Sequence, residues 1–200
     1  MTLNYANRVT IMRILLIVPF VICMLKVNEP RIGTLMRYLA LLIFLVMAFS
    51  DAYDGYVARK KKQVTKLGAF LDPMADKLLM TCACLLLSID KTGIHGFRLP
   101  PTVVVLIIGK DLFLLLGFVI LYFMTLEIKI IPAYIGRVAT VLQLTMVAAI
   151  LIAPEMSQIT GGWIWFLRFL WWSAAGTAII ATLIYTRAGT KFIEQFENNP

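Results

Sequence analysis

Four aspartates are the residues of this sequence best placed to do chemistry. Asp51 and Asp54 stand three apart, and Asp72 and Asp76 stand four apart, within DAYDGYVARKKKQVTKLGAFLDPMAD. On an α-helix either spacing puts both carboxylates on one face. Four acids gathered at a membrane boundary would repel one another and would be costly to desolvate. A hard divalent cation relieves both problems, and an all-oxygen donor set of this density suits Mg2+ or Mn2+, as one ion or two. Small residues accompany the acids. Gly55 and Ala58 remove bulk beside Asp54, so a planar base or a diphosphate can approach the helix closely. Gly68, one turn before Asp72, would let two helices pack tightly. Arg59 places a guanidinium at the same rim, suited to bidentate contact with phosphate oxygens. Together these residues describe a site for a diphosphate linked to a nucleotide. Helix capping, or pairing with the neighbouring lysines, would account for one or two of the acids. It leaves the two spaced pairs and their glycines unexplained.

The elements that must carry these acids are membrane helices. The 200 residues are 60% hydrophobic and 15% charged, with a mean hydropathy of +0.86. Soluble domains are about 45–50% apolar and about 25% charged, so the bilayer is the expected solvent. Six apolar segments stand out: Val9–Val27, Tyr38–Val57, Gly68–Ile89, Thr102–Phe123, Ala133–Ala153 and Gly162–Tyr185. Each is near the roughly 20 residues a helix needs to cross the hydrocarbon core, and isolated strands cannot span lipid. The expected fold is therefore an all-α integral membrane protein of six transmembrane helices in one bundle. A single domain over residues 1–200, without internal repeats, is the simplest division. The first segment lacks a signal-peptide cleavage pattern and reads as a retained helix. Two segments reach full length only by including their acids, Asp51 and Asp54 in one, Asp72 and Asp76 in the other. The acids thus belong to the helices, in the end turns nearest the loop that joins them.

That loop holds Arg59, Lys60, Lys61, Lys62 and Lys66, the densest basic cluster in a chain of net charge +8. By the positive-inside rule it predicts a multi-pass cell-membrane protein whose termini and carboxylates face the cytoplasm, with the active-site cavity open to that side. The basic excess otherwise serves topology and contact with anionic lipid; no soluble basic domain exists to bind nucleic acid. Cys23, Cys82 and Cys84 lie in apolar stretches and read as small buried hydrophobes. His95, the only histidine, falls in a connection at the opposite face. The tryptophans cluster around the last span, where interfacial anchoring explains those near its start.

The acidic stretch resembles the signature of the CDP-alcohol phosphatidyltransferase family, D-x-x-D-G-x-x-A-R-x8-G-x-x-x-D-x-x-x-D. Asp51, Asp54, Gly55, Ala58, Arg59, Gly68, Asp72 and Asp76 fill every fixed position, and the six-span layout is similar as well. The resemblance implies a binuclear metal site on Asp51, Asp54, Asp72 and Asp76, and a homodimer. It implies CDP-diacylglycerol bound with its diphosphate on the metals and Arg59, the cytosine near Gly55 and Ala58, and Asp76 as general base. Metal-assisted, in-line attack of an acceptor hydroxyl on the β-phosphorus would then release CMP.

The remaining polar residues bear on the acceptor. Asn7, Thr10 and Arg13 recur at three-residue spacing and share a face near the start of the first span. Their bland reading is a cap and a snorkelling arginine. The same pattern resembles the branch of the family that makes phosphatidylglycerophosphate, whose first helix lines the active cavity. Lys110 and Asp111 stand deep in the fourth segment, where a mutually neutralising pair is the bland reading. A lysine at that depth should nonetheless face the bundle interior or a wet cavity, where it could hold an acceptor phosphate, with Arg137 as a second cation and Arg13 a third. The glycerophosphate-using branch more often has arginine-glutamate in place of Lys110-Asp111, and glycine-lysine in place of Gly136-Arg137. The expected reaction is transfer of a phosphatidyl group from CDP-diacylglycerol to glycerol 3-phosphate. A cardiolipin synthase, which would accept phosphatidylglycerol, is the alternative within the family. A small cation transporter is the alternative outside it, but it leaves Gly55, Ala58 and Arg59 without a role.

Overall fold

The computed structural model describes the backbone of residues 5–61, 66–125 and 134–197, and the side chains of residues 12–50, 77–117, 136–187 and 190. Seven helices run in order: α1 (Tyr5–Leu25), α2 (Gly33–Lys61), α3 (Lys66–Ser88), α4 (Pro101–Thr125), α5 (Tyr134–Leu151), α6 (Ala153–Ile159) and α7 (Trp163–Glu197). Among the described residues there is no strand. The six long helices fall on the six apolar segments, with most ends differing by only a few residues. As expected, α2 continues through Asp51 and Asp54, and α3 begins upstream of Asp72. The backbone thus stays hydrogen-bonded through both acidic stretches.

Two boundaries differ from expectation. The stretch between the fifth and sixth apolar segments contains the extra helix α6. Pro154 stands in its first turn, where the missing N–H has no helical partner to lose. A 73° bend separates α6 from α5. At the other end, α7 runs on to Glu197, well past the apolar stretch, because polarity marks where lipid ends and not where a helix must stop.

Two helical stretches among the described residues are long and apolar enough to cross a bilayer, Gly33–Ser50 and Trp163–Arg187; the bent α5–α6 pair makes a third if counted as one span. The exposed surfaces of α1 and α7 agree. On α1, Met12, Leu15, Val18, Ile22 and Leu25 are each at least half exposed, and α7 exposes Trp165, Phe169, Trp172 and Leu183. Contiguous apolar surface of this kind is rare on a water-soluble monomer. The architecture is that of a helical membrane protein.

The chain divides into two compact units. The first comprises residues 1–99 and 147–167, and in it α1 packs against both α2 and α3. Phe20 of α1 and Phe44 of α2 meet at a ring-centroid distance of 6.0 Å, both fully buried. Away from that seam the loops are tied by polar contacts. The Asn28 side-chain amide donates to the carbonyls of Lys91 and Gly93, at 3.0 Å each. Gly93 has no space for a side chain, since a Cβ there would lie 2.8 Å from the Ile89 carbonyl oxygen and 2.9 Å from that of Leu87. Arg37 of α2 holds α6 by a bidentate ion pair with Glu155.

The second unit comprises residues 100–146 and 168–200. Its part of α7 buries Ala174, Ala175, Ala178 and Ala181, small residues of the kind that let membrane helices approach closely. Thr177, Thr182 and Thr186 fold their hydroxyls back onto carbonyls four residues earlier, so these polar groups are satisfied within the helix. Cys23 and Cys84 are buried, as their apolar stretches suggest, and Cys82 is half-buried.

Candidate active site

The inward faces of α1, α2 and α3 follow heptad-like stripes, and the stripes turn polar at corresponding ends. On α2 the buried positions are Gly33, Arg37, Ala40, Phe44 and Met47. Continued at the same spacing, the stripe passes through positions 51, 54 and 58, which are Asp51, Asp54 and Ala58. On α3, Leu79, Met80, Ala83 and Leu87 are buried. The same stripe extended back one and two turns reaches Asp76 and Asp72. On α1 the buried described residues are Arg13, Ile17, Phe20, Cys23 and Met24, and one step before Arg13 comes Thr10. Helical periodicity thus carries both acid pairs on the stripes that pack the core.

Helix rise sets the levels. α1 and α2 pack together and are joined by the short stretch 26–32, so they run antiparallel. Arg13 lies seven residues before Phe20, and Asp51 lies seven residues after Phe44. Starting from the Phe20–Phe44 contact, both positions are displaced the same way by about 10 Å at 1.5 Å per residue. Arg13 is therefore level with Asp51. It is 3% exposed; it does not snorkel to solvent but stands on the buried face of α1. A buried guanidinium beside helices that carry carboxylates is an economical way to hold anionic groups at one place.

The side chains of Asp51, Asp54, Gly55, Ala58, Arg59, Gly68, Asp72 and Asp76, and those of Asn7 and Thr10, lie outside the described residues. Their positions on α1, α2 and α3 are given by the backbone alone. Among the described residues no group of three or more His, Cys, Asp or Glu side chains could hold a metal ion. The donor chemistry of the aspartates fits a hard divalent cation, with carboxylate oxygens from two consecutive helices.

In the second unit, Lys110 and Asp111 form an ion pair at 2.8 Å with side chains 2% and 6% exposed. The mutually neutralising pair read from the sequence is present, buried on α4. Arg137, in the first turns of α5, is exposed. Three residues were not singled out from the sequence and matter here: Gln143, buried on α5; Tyr185 of α7, whose hydroxyl comes against Gly136; and Glu155, the partner of Arg37. The i, i+4, i+7 spacing of Gly136, Thr140 and Gln143 was the available signal for the first. His95 is exposed in a turn.

These helices are those of an all-α membrane protein. The chain belongs to the CDP-alcohol phosphatidyltransferase family, whose model matches residues 3–184. It is similar to several curated proteins named CDP-diacylglycerol–glycerol-3-phosphate 3-phosphatidyltransferase. One, from Rickettsia bellii, is 43% identical over 84 residues, covering 42% of this chain and 44% of that protein. One from Bacillus subtilis is 33% identical over 158 residues, covering 74% and 77%. A chloroplastic relative from Oryza sativa is 32% identical over 180 residues, covering 80% and 49%. The chain thus spans a little under half the length of the Rickettsia relative and about half that of the rice one. The family is generally metal-dependent.

Proposed function

We propose that this chain transfers a phosphatidyl group from CDP-diacylglycerol to glycerol 3-phosphate, forming phosphatidylglycerophosphate and CMP. The observation that carries the proposal is the continuation of the buried α2 and α3 stripes into Asp51/Asp54 and Asp72/Asp76. The names of the relatives support the choice of substrates, above all the Bacillus subtilis protein, which aligns with most of this chain.

Asp51, Asp54, Asp72 and Asp76 would hold the divalent cations, Mg2+ or Mn2+. When bound, such ions neutralise and polarise a diphosphate. Arg59 binds the diphosphate oxygens, and Gly55 and Ala58 leave room for the cytosine, with Gly68, Asn7 and Thr10 completing the CDP-lipid site. Asp76 takes the proton of the acceptor hydroxyl as its oxygen attacks the β-phosphorus. The bond from that phosphorus to the CMP oxygen breaks, and CMP leaves. Lys110, Arg137 and Arg13 supply cationic side chains for the acceptor's phosphate. Six membrane spans in one bundle, a site open to the cytoplasmic face of the cell membrane and a homodimer complete the proposal.

Lys110-Asp111, where the glycerophosphate-using branch more often has arginine-glutamate, favours one second reading, a cardiolipin synthase with phosphatidylglycerol as acceptor. Arg and Lys bind phosphate differently. Purified protein given CDP-diacylglycerol, Mg2+ or Mn2+, and each acceptor in turn separates the two. Glycerol 3-phosphate should support CMP release with phosphatidylglycerophosphate as product. Release with phosphatidylglycerol alone would transfer the assignment to the second reading, and release with neither would overturn both.

A further inference from the structure

The second unit carries a polar helix face to which no role has been given. On α5, Gly136, Thr140 and Gln143 stand at i, i+4 and i+7 and so share one side. Gln143 is 1% exposed, and neither its carboxamide nitrogen nor its oxygen has a hydrogen-bond partner among the described residues. A buried amide in that condition destabilises a fold unless a ligand or an ordered water completes it. Near the start of the same face, the phenol of Tyr185 on α7 arrives hydroxyl first. A Cβ built on Gly136 would lie 2.7 Å from the Tyr185 hydroxyl oxygen, whereas the nearest ring carbons would remain at 3.7 and 3.8 Å. A side chain at position 136 would thus have to displace one atom, the phenolic oxygen. The Thr140 hydroxyl is already committed, donating to the Gly136 carbonyl at 3.1 Å. What this face offers is the Tyr185 hydroxyl and the Gln143 carboxamide, and Arg137, which is exposed, follows Gly136 in the chain.

We propose that Gln143 and Tyr185 are specificity-determining residues for the acceptor, a small polyol phosphomonoester. The Tyr185 hydroxyl donates to a phosphate oxygen beside Arg137, and the Gln143 carboxamide binds an acceptor hydroxyl. The proposal rests on the transfer reaction proposed above and adds contacts to its acceptor. It also gives Gly136 a purpose, because any side chain there would displace the phenol.

The test uses the full chain in detergent, with CMP release measured against both substrates. Tyr185→Phe and Gln143→Leu should each raise the KM for glycerol 3-phosphate about tenfold, the size expected for one lost hydrogen bond to a charged or buried polar group. The KM for CDP-diacylglycerol should be unchanged. Gly136→Ala should lower the unfolding temperature and raise the acceptor KM. Adding Tyr185→Phe to Gly136→Ala should restore the unfolding temperature, since only the hydroxyl clashes, but not the acceptor KM. Unchanged acceptor KM in Tyr185→Phe and Gln143→Leu, alongside a raised one in Arg137→Ala, would overturn the proposal and leave the reaction standing. Absence of CMP release by the unmodified chain with glycerol 3-phosphate would remove the reaction itself. Should Tyr185→Phe fail to accumulate, Gln143→Leu decides in the same assay.

Discussion

Glu155→Ala should cost this protein about 2 kcal/mol of stability without changing its chemistry. Arg37 is the strut of the first unit. Its Nη1 donates to Glu155 Oε2 at 2.9 Å and to the Leu151 carbonyl at 3.3 Å, and its Nη2 donates to Glu155 Oε1. The Tyr38 hydroxyl also donates to Oε1, at 2.7 Å, and the Arg37 guanidinium lies 5.3 Å from the centroid of the Tyr38 ring. Truncating Glu155 leaves a guanidinium whose side chain is 8% exposed with one backbone carbonyl as its remaining partner in this cluster. Breaking a fully buried pair costs about 3–5 kcal/mol, whereas an exposed one contributes about 0–1 kcal/mol. Glu155 is 32% exposed, which places this pair between the limits. For a chain of this length about 2 kcal/mol corresponds to a fall of roughly 4–8 °C in Tm. Tryptophan fluorescence of the detergent-solubilised protein during heating would read it. The pair Arg37→Met with Glu155→Met should recover most of the loss, because no charge is then left buried. Arg37 and Asp51 are fourteen residues apart on α2, about 21 Å along the helix, so CMP release per folded molecule should not change. A Tm unchanged in Glu155→Ala, or a double variant as unstable as the single one, would refute this account of the cluster.

Two further perturbations bear on separate parts of the molecule. Asp72→Asn and Asp76→Asn should each nearly abolish CMP release while Tm and elution volume stay near those of the unmodified protein; turnover within a few fold of normal would show that neither acid is needed. Gly93→Ala should destabilise the first unit by about 1–3 kcal/mol, the usual cost of forcing a methyl into closed space, since its Cβ would press on the Ile89 and Leu87 carbonyls. Thermal unfolding checks this, and no change in Tm would mean that the turn relaxes freely.

Much of the fold was legible because apolar runs of about 20 residues have few uses other than membrane helices. The six segments correspond to the six long helices, and the need for Asp51, Asp54, Asp72 and Asp76 to complete two of them matched α2 and α3. What hydropathy could not show was where helices end in polar sequence. Hence α7 overruns its apolar stretch, and α6, seven residues beginning beside a proline, is too short to stand out as an apolar segment. The family was legible in eight residues. The burial of Arg13 was not, since a cation near a helix end can snorkel as readily as turn inward. Nor was the Arg37–Glu155 pair, whose partners lie 118 residues apart and share no local pattern. Lys110 and Asp111 were readable as a pair only because they are adjacent in sequence. Tyr185 escaped notice because its signal is the absence of a side chain at Gly136, on another helix.

The most direct measurement of the central claim is CMP release by the purified, metal-stripped protein given CDP-diacylglycerol and glycerol 3-phosphate, before and after Mg2+ or Mn2+ is restored. Release that is absent after chelation, returns with either ion and yields phosphatidylglycerophosphate is the predicted result. Undiminished release after chelation, or a Asp51→Asn/Asp54→Asn variant that still responds to the restored ion as the unmodified protein does, would contradict it.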